Sequence, residues 1–243
     1  MLSDWDGCLA LDDRLIAGAG DLAAVTQRLV IVSNNSTTPA ETFRAMTADQ
    51  GLELASEHIH LAGQVLIEEA ARRFAGRSVF VIGAPAMRDL AQKQGLTLVE
   101  RDAEAVLLLR DPAFNYAKLT QAVRMVRAGA HFWVANPDLL HPGADGVVPE
   151  TGALAAAVQA GAGRKPDLVM GKPFPHLYRR ALSSAGVDMR DAVMIGDNPK
   201  TDLAGARRVG LRGLLVNDRT WRGARVRSAP MDGYDERPRE ALA

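Results

Sequence analysis

Cysteine is nearly absent. Cys8 is the only one in 243 residues, so no disulfide can form within the chain, and a reducing compartment is expected. Long apolar runs are missing as well. Nothing approaches the ~18 residues of a membrane span, and Ala105–Leu109 is a typical maximum. The first residues, Met-Leu-Ser-Asp-Trp-Asp, carry acids where a secretory signal needs a basic and then an apolar stretch. A cytoplasmic protein is expected. No one charge sign prevails, because 29 basic residues cancel 29 acidic ones, which gives no support for a nucleic-acid partner. Lysine is scarce, at 5 of those 29 basic residues. Internal repeats and low-complexity segments are absent.

What is present is the composition of an ordinary folded chain. Hydrophobic residues make up 47% and charged residues 24%, too much apolar content for disorder and enough length for one large or two modest domains. Short apolar runs alternate with amphipathic stretches. Strands are expected at Leu29–Val32, Ser78–Ile82, Leu96–Val99, Ala105–Leu109, His131–Ala135, Leu168–Met170, Ala192–Ile195 and Gly213–Val216. Helices are expected at Thr38–Gln50, Gly63–Phe74, Pro85–Gln94, Tyr116–Ala128, Thr151–Ala160, His176–Ala185 and Asp202–Val209. The alternation argues for a parallel α/β architecture with strands covered on both faces. From about Arg222 the chain lacks periodicity and reads as a surface excursion or frayed end.

Four polar clusters fall just after apolar runs, at the carboxyl ends of expected strands, the edge where open α/β sheets bind ligands. They are D-W-D-G (4–7), S-N-N-S (33–36), G-K-P (171–173) and G-D-N-P-K-T-D (196–202). Each has an ordinary reading: solvated acids, a turn, a helix cap, a surface lysine. All four landing at strand ends in one order fits a shared task better. Carboxylates can hold Mg²⁺, and the cation, a lysine and a hydroxyl can hold a phosphate.

This combination resembles the haloacid dehalogenase superfamily of phosphohydrolases. D-W-D-G-C-L is similar to its D-x-D-G-x-L motif, and S-N-N-S to the T-N-N-S form of the NagD-like, p-nitrophenylphosphatase-like branch, subclass IIA. G-K-P and G-D-N-P-K-T-D resemble the third and fourth motifs, and A-N-P-D (135–138) and T-G-A-L-A-A-A (151–157) also resemble that branch. The resemblance covers roughly Leu2 to Asn217. It implies a doubly wound parallel-sheet, Rossmann-like core over residues 1–77 and 165–243, with an inserted α/β cap of type C2 over 78–164.

The resemblance also implies roles. Asp4 would be the nucleophile that forms an aspartyl-phosphate, and Asp6 the general acid and then base. Mg²⁺ would take the Asp4 carboxylate, the Asp6 backbone carbonyl and the Asp197 carboxylate. Ser33 and the Asn34 amide would bind phosphate oxygens, and Lys172 would neutralise them. Asp202 would hold Lys172 or a metal-bound water. The acid at position 6 points to phosphatases or phosphomutases. Asn136, Pro137 and Asp138 are the candidates for leaving-group contact from the cap, an ordinary turn being the other reading. The expected substrate is a small phosphomonoester such as a sugar phosphate, glycerol phosphate, pyridoxal phosphate or nucleoside monophosphate. A phosphotransferase of the same fold and a catalytically weak phosphate-binding protein are the alternatives. Neither membrane nor nucleic acid is an expected partner, and a homodimer through the cap is expected.

Where the family places four or five apolar residues before the first Asp, only Met1-Leu2-Ser3 stand here. Either the chain begins upstream or the sheet tolerates a short strand. Cys8 reads as a small buried residue. Gly18–Ala23 fits G-x-G-x-x-A, but no suitable strand leads into it, and dinucleotide binding is rejected. His58 and His60 lack a third metal ligand. The arginines of Arg219–Arg227 read as a solvated tail.

Overall fold

The computed structural model describes residues 1–216 and 226–228, except 12, 27, 144 and 145. The chain opens with β1 (Leu2–Ser3), a hairpin of β2 (Ala10–Leu11) and β3 (Arg14–Leu15), α1 (Ala19–Val25), β4 (Val30–Ser33), α2 (Ala40–Asp49), β5 (Ile59–Leu61) and α3 (Ala62–Arg73). It continues with β6 (Ser78–Ile82), α4 (Pro85–Lys93), β7 (Thr97–Leu98), β8 (Ala105–Leu108), α5 (Tyr116–Arg127), β9 (His131–Val134), a hairpin of β10 (Leu140–Gly143) and β11 (Gly146–Pro149), α6 (Thr151–Ala162) and β12 (Leu168–Val169). It closes with α7 (Pro175–Ala185), β13 (Val193–Gly196), α8 (Ala204–Arg208), β14 (Arg212–Val216) and β15 (Val226–Ser228).

Two sheets organise these elements. The first runs β15-β14-β13-β1-β4-β5 and is parallel except for β15, which pairs antiparallel with β14. The second runs β12-β9-β8-β6-β7 and is parallel throughout. Strand β1 is only two residues long, yet it is flanked by β13 and β4. Its pairing continues past its ends: Val30 N donates to the Met1 carbonyl and Asp4 N to the Ile195 carbonyl, both at 2.9 Å. The short strand is therefore tolerated at a central position.

Side-chain alternation divides the core. On β4, Val30 and Val32 face one apolar cluster and Ile31 another. The Ile31 cluster holds Trp5, Phe43 of α2, Ile59 and Leu61. Trp5 and Phe43 meet edge to face at 4.8 Å between ring centroids. The second sheet alternates likewise, with Phe80, Val106 and Phe132 packed against α5 and α6. The opposite faces of both sheets meet in one continuous cluster that takes in Leu2, Val30, Val81, Leu107 and Trp133, with Leu66 of α3 and Tyr178 of α7 between them.

The expected strands and helices are present with shifts of a residue or two at their ends. The exception is the helix expected at Asp202–Val209, which starts as a π-helical turn over Pro199–Leu203. Five features were not anticipated: α1, the β2–β3 and β10–β11 hairpins, β5, and β15. The segment from Arg222 lies outside the described residues except Val226–Ser228, which form the edge strand β15 and not a frayed end. A boundary at residue 164 also falls short of the second sheet, because β12 at Leu168–Val169 pairs with β9.

Candidate active site

The carboxyl ends of β1, β4 and β13 bring three of the four polar clusters to one edge of the first sheet. The fourth, G-K-P, arrives from β12 of the second sheet. There the ladder passes from strand to loop: Met170 N donates to the Val134 carbonyl at 3.0 Å and Gly171 N to the Ala135 carbonyl at 2.8 Å. Lys172 follows, with a cis bond to Pro173. Pro175 then starts α7 at its first turn, where a missing N–H costs nothing.

Lys172 is the centre of the site. Its side chain is 2% exposed, and Nζ lies 2.6 Å from Asp4 Oδ1 and 2.7 Å from Asp202 Oδ1. Burial works against the charged ammonium, but Asp202 and Asp4 outweigh it and hold its pKa well above the usual lysine range. Asp4 follows β1 and is buried. Trp5 N donates to its Oδ1 at 2.7 Å, so two donors fix this carboxylate. Desolvation, with the neighbouring Asp202 charge, pushes the Asp4 pKa well up. Asp202 is fully buried in the π-helical turn, and its Oδ2 accepts from Asn198 N at 3.0 Å. The buried Tyr178 hydroxyl braces this turn by donating to the carbonyls of Thr201 and Asp202, each at 3.0 Å.

Asp197, at the end of β13, is more open. Asp4, Asp197 and Asp202 can each turn one carboxylate oxygen to within 4.8 Å of the others, and among the described residues no other group of acids, histidines or cysteines does this. Burial and then Asp202 raise the Asp197 pKa. Lys172 pairs with only two of these three carboxylates. When ionised they leave an excess of negative charge on hard oxygen donors, which fits a divalent cation such as Mg²⁺. Gly7 lets Asp197 come this close: it has φ +79°, and a Cβ there would stand 2.2 Å from Asp197 Oδ2.

Asp6 is half-buried two residues beyond Asp4. Burial raises its pKa, the direction that proton donation near neutral pH needs, while His141 is near enough to pull it back. Ser33 ends β4, fully buried, and its Oγ accepts from Asn35 N at 3.0 Å. Asn34 lies beside it. Its carboxamide, which had no expected role, accepts from Lys172 N at 2.7 Å and donates to the Lys172 carbonyl at 3.0 Å and to Asp138 Oδ2 at 2.8 Å.

The second sheet reaches this edge through Asn136, Pro137 and Asp138. Asn136 is fully buried, and its Nδ2 donates to the Asn34 carbonyl at 2.8 Å. Sequence reasoning also missed His141 on β10 and the pairing of buried Glu150 with half-buried Arg110, Nε to Oε2 3.3 Å. The signal for His141 was the L-L-H-P run that directly follows A-N-P-D.

The rejected features take no part in the chemistry of this edge. His60 is buried in β5 with its Nε2 unpartnered among the described residues. Gly18–Ala23 follows the β2–β3 hairpin and not a parallel strand, so dinucleotide-binding geometry is missing. Cys8 is buried, with Sγ 3.6 Å from Ser3 Oγ, and desolvation raises its pKa, which leaves it an inert thiol.

Comparison with known proteins identifies the family. The family described as haloacid dehalogenase-like hydrolase matches residues 1–97, and a second family of HAD-like hydrolases matches 169–235. Chronophin from Mus musculus is 31% identical over 89% of this chain and 80% of its own length. The chain belongs to the haloacid dehalogenase-like hydrolases. Within that family it is NagD-like: ribonucleotide monophosphatase NagD from Escherichia coli is 28% identical, over 89% of this chain and 86% of its own. A solved structure of glycerol phosphate phosphatase from Mycobacterium tuberculosis, in complex with magnesium, superposes with a TM-score of 0.80 at 29% identity, covering 88% of this chain and 67% of that one. This haloacid dehalogenase-like hydrolase is accordingly an α/β enzyme whose acid cluster suits a divalent cation. No helix among its described residues is long and apolar enough to cross a membrane.

Proposed function

We propose that this chain hydrolyses small phosphomonoesters by passing the phosphoryl group first to Asp4 and then to water. The observation that carries the reading is the buried Asp4–Lys172–Asp202 cluster beside Asp197 on one sheet edge. Asp4, its carboxylate oriented by Trp5 N and Lys172 Nζ, attacks phosphorus and forms an aspartyl-phosphate. Asp6 donates a proton to the departing ester oxygen and then takes one from the hydrolytic water. Lys172 and Ser33, with the Asn34 amide, hold the phosphate oxygens. Asp202 keeps Lys172 charged and in place. Asp4, Asp197 and the Asp6 carbonyl would hold Mg²⁺, which when bound offsets repulsion between Asp4 and the anionic ester.

The second sheet acts as a cap in this reading. Its hairpin carries His141 into the neighbourhood of Asp6, and its Asn136–Asp138 segment reaches the phosphate-binding loop. A lid of this kind leaves room for a small leaving group and excludes a folded protein. Glycerol phosphate, sugar phosphates and nucleoside monophosphates are the substrates to compare, in line with the activities named for the relatives. A cytoplasmic setting is inferred from the single buried cysteine. A homodimer through the cap is supported by exposed Leu139, Leu140 and Val147 on its hairpin, and sedimentation equilibrium would measure it.

The test is phosphate release from a panel of small esters, with and without Mg²⁺, beside Asp4→Asn. Metal-dependent turnover that the substitution abolishes is expected. A folded, Mg²⁺-binding protein without turnover on any ester would overturn the reading. Product that appears only with an added acceptor alcohol would make it a phosphotransferase.

A further inference from the structure

Lys172 lies just past the end of the second sheet, and something must hold its main chain where its ammonium can reach Asp4. The ladder from β9 stops at Gly171, whose N–H meets the Ala135 carbonyl at 2.8 Å. The next N–H and C=O, those of Lys172, belong to a buried residue and need partners. Asn34 supplies both. An N–H can only donate, so the Asn34 atom 2.7 Å from Lys172 N is Oδ1, and Nδ2 then faces two acceptors, the Lys172 carbonyl at 3.0 Å and Asp138 Oδ2 at 2.8 Å. The carboxamide takes the place of the missing rung and spends both Nδ2 protons doing so.

Asn34 is itself gripped from the second sheet. Its carbonyl accepts from Asn136 Nδ2 at 2.8 Å, and the Asn136 Oδ1 accepts from Asp138 N at 3.0 Å. The fit allows no side chain beneath it: a Cβ at Gly171 would stand 2.4 Å from Asn34 Oδ1 and 2.9 Å from the Ala135 carbonyl. Position 34 thus touches the phosphate-binding loop, the lysine loop and the A-N-P-D segment at once.

We propose that the Asn34 side chain is a positioning residue, which sets the Lys172 main chain and, through Asp138, makes the placement of the Lys172 ammonium depend on the seating of the second sheet. This goes beyond the backbone-amide role given to Asn34 above, and it rests on Lys172 being the group that neutralises the phosphate. Asp138, on this account, anchors Asn34 and does not select the leaving group.

The experiment compares Asn34→Asp, Asp138→Asn, Asp138→Ala and the Asn34→Asp/Asp138→Asn pair. Asn34→Asp keeps the acceptor for Lys172 N but turns an oxygen toward two acceptors, and kcat should fall about 100-fold with KM changed less than about threefold. Asp138→Asn retains an acceptor oxygen for Asn34 and should lower kcat clearly less than Asp138→Ala does. Asp138→Ala removes the anchor and should lower kcat about tenfold. In the double variant the new amide donates to the carboxylate at 34, and kcat should recover about tenfold over Asn34→Asp alone.

A second readout does not need turnover. Hydrogen exchange at the Lys172 amide should speed up at least about tenfold in Asn34→Ala and stay unchanged in Asp138→Asn. Unchanged exchange in Asn34→Ala, parental kcat in Asn34→Asp, or no recovery in the double variant would each overturn the proposal. Absence of turnover in the parent on the ester panel would instead overturn the phosphatase reading, and the exchange measurement would still decide the role of Asn34.

Discussion

Lys172 and Asp202 pair at 2.7 Å with both side chains sealed from solvent. The same ammonium serves Asp4 at 2.6 Å. One buried cation therefore holds two buried anions, with Asp202 fully sealed and Asp4 nearly so. Lys172→Met should destabilise the fold by about 3–5 kcal/mol at neutral pH, because both carboxylates are left uncompensated. Urea unfolding measures it, and a loss below about 1 kcal/mol would contradict the pairing. Asp202→Asn should cost less, since Lys172 keeps Asp4.

Magnesium should stabilise the parent. Filling the acid cluster at about 100 times the dissociation constant adds about 2.7 kcal/mol, visible as a rise in melting temperature that a chelator reverses. The rise should disappear in Asp197→Asn. An equal rise in that variant would move the metal away from Asp197.

Gly7→Ala should damage the metal site more than the fold. The added methyl sits 2.2 Å from Asp197 Oδ2 on a backbone with φ +79°, a conformation that costs a non-glycine residue about 1–2 kcal/mol. Asp197 must swing away, so the Mg²⁺ concentration for half-maximal activity should rise at least about tenfold. A parental value would show that Asp197 has another way to reach the metal.

His60 makes stability depend on pH. It is buried in β5, and burial, helped by Arg180, holds its pKa at about 4 against an ordinary 6.5. The unfolded chain therefore takes up a proton in this window that the folded one refuses. Its contribution is complete above pH 6.5 and is lost as pH falls toward 4, by about 3 kcal/mol in all. The difference in unfolding free energy between the parent and His60→Leu should shift by that amount between pH 7 and pH 4. A constant difference would place a partner on Nε2.

Much of this could be read from residue order alone. Ser78–Ile82 and Ala105–Leu108 announce themselves because strands covered on both faces need unbroken apolar runs. Ser33, Lys172 and Asp197 stand out because each follows such a run, and Asp4 through its D-W-D-G motif. What stayed hidden depends on partners distant in sequence. Ile59–Leu61 looks polar through His58 and His60, yet it adds to β4 because Ile59 and Leu61 fill the cluster around Phe43. The β10–β11 hairpin is short and exposed, without the alternation that marks a half-buried strand. Asn34 could be placed beside the phosphate from its motif. Its side-chain work could not, because Lys172 and Asp138 are more than a hundred residues away along the chain.

The apolar cluster shared by the two sheets bears on how such enzymes can be recombined. Val81, Leu107 and Trp133 of the second sheet sit in the same cluster as Leu2, Val30 and Leu66. Exchanging residues 78–164 as a cassette would strip that cluster of one wall, at about 1.5–3 kcal/mol for each large side chain exposed, and would part Leu168 and Val169 from the strand they pair with. The second sheet of this molecule is therefore not a detachable module. Chimaeras that exchange the second sheet must carry α3 and the chain through Lys172 along with it.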